Sequence, residues 1–256
     1  MTLAALAPDD VGLPAMLALI AVAFVASLAR GFSGFGAALI FMPLASTVVS
    51  PRIAAPLVLM IDFIAAAPLI PNAWRQADRK AVAIMALGAL IGIPLGTLAL
   101  LYLDPLVTRW IISVFVFALL IMLASGWRYR GEGTPLISAM TGFTSGLCSG
   151  LAQSGGPPVV AYWLGRPIAG VVARANIILF FACTNVISAS SYFAGGLLNS
   201  VSLRLAVLIG PVYALGLFLG THMFGLASEV LFRSICYGLI ALAAVLGLPL
   251  LDGVLR

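Results

Sequence analysis

Two short stretches of this chain set polar side chains beside glycines inside otherwise apolar surroundings, and its chemistry is expected there. In GFSGFG, residues 31–36, Arg30 and Ser33 accompany Gly31, Gly34 and Gly36. In GLAQSGG, residues 150–156, Ser149, Gln153 and Ser154 accompany Gly150, Gly155 and Gly156. Lipid offers no partner to unpaired backbone groups, so such interruptions are tolerated at membrane depth where they lie inside protein or line a polar cavity. Free N–H groups at the start of a half-helix carry partial positive charge and hold anions well. Arg30 adds a full charge, which makes a small anion the natural ligand. The blander reading of Arg30 is a headgroup contact from the end of the first helix.

Further candidates lie on the apolar runs around these breaks. Asp62, mid-run in VLMIDFIAAAP, is an ionisable group at membrane depth and hence a functional candidate, as carrier of a coupling proton or as partner of Arg30. Its rough counterpart in the second half is Asn185 in FACTNVISASS, where Thr184, Ser188 and Ser190 either line the same cavity or bond between helices. His222, the single histidine, is a proton-relay candidate whose plainer role is a structural hydrogen bond. Arg166 and Arg174 read as orientation charges. Cys148, Cys183 and Cys236 sit singly in apolar runs and indicate neither disulfides nor zinc. The chain has no GxxxxGK[ST] loop, no HExxH and no GxSxG, so neither an ATP engine nor a membrane hydrolase is indicated and no cofactor or metal is expected.

These residues must be held by membrane helices. Hydrophobic residues make up 63% of the 256 and charged ones 8%, against about 45–50% and about 25% in soluble domains. The net charge of +5 is dispersed over short loops, which argues against nucleic acid and for positive loops facing the cytoplasm. Apolar runs of spanning length fall near 12–29, 53–71, 81–102, 106–127, 136–150, 171–194, 203–226 and 230–251. Two shorter runs, 37–49 and 156–165, follow the glycine-rich breaks and read as half-helices returning from hairpins. The N-terminus carries Asp9 and Asp10 where a cleaved leader would be basic, so the first run is expected to stay as a helix.

The halves repeat. Gly92, Gly96, Thr97 and Arg109 match Gly216, Gly220, Thr221 and Arg233 at an offset of 124, and the two breaks match at 119. Repeats with matching interrupted helices point to a transporter site near the midplane. For Gly92, Gly96, Gly216 and Gly220 close helix packing is the preferred role. If each break is a hairpin, the second half inserts upside down and Arg166, Arg174 and Arg233 join Arg75, Arg79, Lys80, Arg128 and Arg130 on one side, with Arg204 opposite. That inverted arrangement is preferred to a parallel one.

The paired motifs GFSGFGAALIFMPL and GLAQSGGPPVVAYWL, with GxxxGT before the last helix of each half, resemble the TauE/SafE family of sulfite and organosulfonate exporters. The resemblance covers essentially the whole chain. It implies a permease of about eight spans for small sulfur-containing anions, with the glycine motifs carried by Gly31, Gly34 and Gly36 and by Gly150, Gly155 and Gly156. The first half keeps Pro43, whereas the second has Tyr162 at that position and adds Pro157 and Pro158.

The expected protein is therefore an all-α, polytopic membrane protein of one domain, residues 1–256, with repeats 1–130 and 131–256. It is expected in a bacterial-type inner membrane, in contact with lipid. Its expected activity is secondary export of sulfite or a short sulfonate through a site at the two breaks, changing access as the halves rock; coupling protons and self-association are open. Two alternatives remain at this level: a permease for another small organic anion, and a membrane scaffold or assembly subunit that transports nothing.

Overall fold

The computed structural model describes residues 12–33, 36–129, 131, 133–223 and 229–252. The described residues form helices and connecting turns: α1 (Leu13–Ser33), α2 (Ala37–Val48), α3 (Pro51–Ala66), α4 (Ile70–Gln76), α5 (Arg79–Tyr102), α6 (Pro105–Ala124), α7 (Pro135–Ala152), α8 (Gly156–Gly165), α9 (Gly170–Ala194), α10 (Ser200–Met223) and α11 (Glu229–Leu246). A 3-10 turn over Ala67–Leu69 joins α3 to α4 into one span, Pro51–Gln76. Among the described residues six spans are long and apolar enough to cross a membrane. α7 and α11, 18 residues each, complete the eight expected segments. α2 and α8 occupy the two short runs.

Helix starts follow local chemistry. Ser50, Asp104 and Thr134 each precede a proline, and their side-chain oxygens accept from the N–H of Arg52 (3.3 Å), Leu106 (2.8 Å) and Ile137 (3.3 Å). A capping oxygen satisfies one orphan donor, and proline at the first helical position has no N–H to satisfy.

The closest packing runs along two glycine ladders. On α5, β-carbons at Gly88, Gly92 and Gly96 would collide with the carbonyl oxygens of Ala139, Phe143 and Leu147 on α7. Gly142, Gly146 and Gly150 of α7 meet Met85, Ala89 and Ile93 of α5 in return. Gly31 of α1 lies against Leu217, Gly220 and Thr221 of α10, and Gly216 and Gly220 face Phe24 and Leu28. Small residues four apart let two backbones approach within van der Waals contact. The packing role expected for Gly92, Gly96, Gly216 and Gly220 is what the structure shows.

Two buried clusters result. One is built mainly from α1, α2, α3, α6, α10 and α11, with the adjoining ends of α5, α7 and α9. The other comes from α5, α8 and α9 and centres on Met85, Tyr162, Trp163 and Phe180.

α7 and α8 form a hairpin. Ser145 Oγ donates to the carbonyl of Gly155 at 2.7 Å, and the hydroxyls of Ser138 and Tyr162 are 2.5 Å apart. Both pairs are spaced by seven residues on each helix, so α8 runs back along α7 in antiparallel register. With 10 residues it is about 15 Å long, half of a hydrocarbon core of about 30 Å. Its end returns to the α6–α7 connection, where Tyr129 N–H donates to Ala161 O at 3.1 Å and Arg166 abuts Gly133. At α5 the backbone N–H of Asp78 donates to Asn176 Oδ1 at 2.8 Å, which brings Arg79 and Lys80 to the end of α9 that carries Arg174.

Candidate functional site

Both helix breaks open onto one cleft. Gly36 has φ 95°, a left-handed conformation that glycine adopts without strain, and it turns the chain into α2. Across the cleft, Gln153 ends α7 in the same left-handed region (φ 52°, ψ 22°). A side chain at Gly155 would collide with Ser145 and Ser149, so only glycine lets α8 fold back this closely.

One wall of the cleft is formed by Arg30, Gly36, Ala37, Ala38, Leu39, Val58 and Asp62, from α1, α2 and α3. The other is formed by Ser149, Gln153, Ser154, Gly155, Gly156 and Pro157, with Phe181, Thr184 and Asn185 of α9. Its volume is about 50 Å³, against roughly 10–15 Å³ for one water on the same measure. A solute of a few heavy atoms fits.

Arg30 and Asp62 are the charged residues of this lining. Arg30 Nε lies 2.7 Å from Asp62 Oδ1, and the Tyr213 hydroxyl of α10 donates to the same oxygen at 2.7 Å. The expected partnership of Arg30 with Asp62 is present, and both residues line the cleft. The terminal nitrogens of Arg30 have no partner among the described residues.

Tyr192 of α9 braces the opposite wall. Its hydroxyl is shared between the carbonyls of Gly150 (2.9 Å) and Ser149 (3.2 Å) and accepts from Gln153 Nε2 at 3.1 Å. Carbonyls in the last turn of a helix lack helical partners, and Tyr192 supplies one while fixing the side chain that ends α7. Ser154, next in the chain, is 2% exposed, and its hydroxyl has no hydrogen-bond partner. Among the described residues it is the one that lines the cleft with a buried polar atom left in that condition.

The two short helices offer unequal donors. α2 begins with Ala37 and Ala38, which keep their N–H groups, whereas in α8 Pro157 and Pro158 remove two of the first-turn donors.

Of the residues named from the sequence, Arg30, Gly36, Ser149, Gln153, Ser154, Gly155, Gly156, Asn185 and Asp62 converge here, with Thr184. Gly31 and Gly150 lie one residue along from Arg30 and Ser149 and serve the glycine ladders instead. Gly34 lies outside the described residues, as does the side chain of Ser33. His222 is exposed on α10, its Nδ1 2.8 Å from Phe218 O and its ring 4.2 Å from that of Phe218. Ser188 is buried within the bundle, and Ser190 faces a separate groove between α5 and α9. Tyr192 and Tyr213 were not foreseen, since a lone tyrosine in an apolar run has no spacing that marks it.

The family model for Sulfite exporter TauE/SafE matches residues 19–246. A protein of Cupriavidus necator named probable sulfite/organosulfonate exporter TauE is 28% identical over 228 residues, covering 85% of this chain and 88% of that protein. No solved structure matches the chain.

Proposed function

We infer from one premise, that this chain belongs to the sulfite exporter TauE/SafE family, that it exports a sulfite-sized anion across an inner membrane and holds it in the cleft between the two breaks. The observation that carries this is that both helix breaks, Arg30 and Ser154, whose buried hydroxyl has no partner, line one cleft. Leaving such a group unsatisfied costs about 1–3 kcal/mol, and a bound anion oxygen removes that cost. Arg30 and the first N–H groups of α2 supply charge complementarity.

Size favours sulfite: the cleft of about 50 Å³ has no room for a long chain. Val58, Leu39 and Phe181 give it an apolar side, which suits a short organosulfonate as second solute. In this reading residues 1–130 and 131–256 are inverted repeats of one membrane domain and the cleft lies near the midplane. Support comes from Gly36 and Gly155, each opening a short helix onto the same cleft, and from the return of Arg166 to the α6–α7 connection.

Counterflow of radiolabelled sulfite, then of sulfoacetate and taurine, in proteoliposomes tests the assignment. Saturable exchange by the wild type that is lost in Arg30→Ala and weakened in Gln153→Ala places the anion at the breaks. Failure of the wild type to exchange any of the three removes the assignment and favours a scaffold role.

A further inference from the structure

Arg30 is already paired through its Nε. Asp62 holds its Nε at 2.7 Å, so the cleft contains one positive and one negative side chain and is neutral before any solute enters. A bare anion entering a neutral, largely buried cleft must either leave an uncompensated charge there or take Arg30 from Asp62. In the second case the released carboxylate is the group without compensation.

We propose that Asp62 is the internal rival of the transported anion for Arg30, and that binding of one singly charged anion is completed by one proton taken up on Asp62. The inference rests on the anion-export reading above. In the empty cleft the Asp62 carboxylate pairs with Arg30. When the anion takes the guanidinium, Asp62 accepts a proton from the water to which the cleft is open and becomes a neutral acid. On the opposite side the anion leaves, the acid gives its proton to water, and the carboxylate returns to Arg30. One proton and one anion cross together, and no net charge moves.

Tyr213 is the positioning residue of this exchange. Its hydroxyl donates to Asp62 Oδ1 at 2.7 Å, and a hydroxyl can also accept. It therefore keeps a hydrogen bond to Asp62 in both protonation states and holds the side chain in place while Arg30 is engaged elsewhere. The surroundings leave Asp62 as the group that takes the proton. Arg30 from α1 and Tyr213 from α10 are the titratable groups at the carboxylate. α2, α7, α8 and α9 present neutral side chains to the cleft, Ser149, Gln153, Ser154, Thr184 and Asn185 among them. α5 and α6 also touch α3, but their basic residues Arg79, Lys80 and Arg109 stand near helix ends, Arg109 on Asp252.

The test is sulfite accumulation in proteoliposomes at zero membrane potential, on the acid side of neutrality where sulfite carries a single charge, with protein-free liposomes subtracting leak. With one proton per anion, a pH step of about one unit accumulates sulfite about tenfold on the alkaline side in the wild type. In Asp62→Asn the pH step drives none, and sulfite movement responds to an imposed membrane potential instead. Tyr213→Phe keeps the ring and moves the pH midpoint of sulfite binding, which a purely structural tyrosine would leave in place. Wild-type exchange that ignores the pH step, or Asp62→Asn accumulating sulfite as the wild type does, overturns the proposal alone. A wild type that exchanges no sulfite overturns it together with the export reading.

Discussion

The hydroxyls of Ser138 on α7 and Tyr162 on α8 lie 2.5 Å apart, and this bond pins the open end of the α7–α8 hairpin. Tyr162 also stacks on Tyr129, with ring centroids 5.6 Å apart, and meets Trp163 edge-on at 5.0 Å. Tyr162→Phe keeps the rings and removes the bond, and leaves Ser138 buried without it. A loss of about 1 kcal/mol, read as a lower melting temperature in detergent and faster amide exchange in α8, is expected. An unchanged melting temperature would show that ring packing alone holds the hairpin.

Ser154→Ala is expected to separate stability from binding. The hydroxyl makes no hydrogen bond within the protein, so its removal leaves the melting temperature unchanged or slightly higher. Half-saturation for sulfite rises by roughly tenfold, equivalent to about 1.4 kcal/mol. Concentration dependence of counterflow measures it.

Glycine substitutions divide by position. Gly92→Ala places a methyl group on the carbonyl of Phe143, and the α5–α7 ladder must open to admit it. Gly210→Ala on α10 meets nothing within 4 Å. The first lowers the yield of folded protein and its melting temperature, and the second changes neither; paired thermal unfolding curves decide the matter.

Arg109 and Asp252 fasten the end of the chain to the start of α6. The guanidinium contacts both carboxylate oxygens, NH1 to Oδ2 at 2.6 Å and NH2 to Oδ1 at 2.8 Å. The Arg109 side chain is 8% exposed and that of Asp252 32%. Asp252→Asn is expected to cost about 1–3 kcal/mol, less than a fully buried pair because water screens the acid. Thermal unfolding at low and high salt tests this, with the smaller difference between the two proteins at high salt.

How far the sequence could be read depends on the kind of signal. Spans and the return of 156–165 as a short helix were legible because membrane depth forces backbone groups to pair within helices, and glycine-rich breaks stand out against that background. Arg30, Gln153 and Ser154 stood out for the same reason, since polar groups are costly there. Gly31 and Gly150 were harder, because a glycine that permits a break and one that permits helix contact look alike until the helix phase is known. Tyr213, 151 residues from Asp62, and Asp252, 143 from Arg109, are partners by tertiary folding, and nothing local announces them. The pairing of α5 with α7 and of α1 with α10 was likewise invisible in a repeat that only aligns one half with the other.

Those two glycine ladders bear on what can move. Each fastens a helix before residue 130 to a helix after it, so separating the chain there would break these close backbone contacts. The two buried clusters are joined as well, because α5 and α9 each run through both, from Ile93 to Leu100 and from Phe180 to Tyr192. A boundary drawn near residue 130 in the sequence is therefore one that the folded chain stitches shut, through glycine contacts on either side of it and through helices that serve both buried clusters.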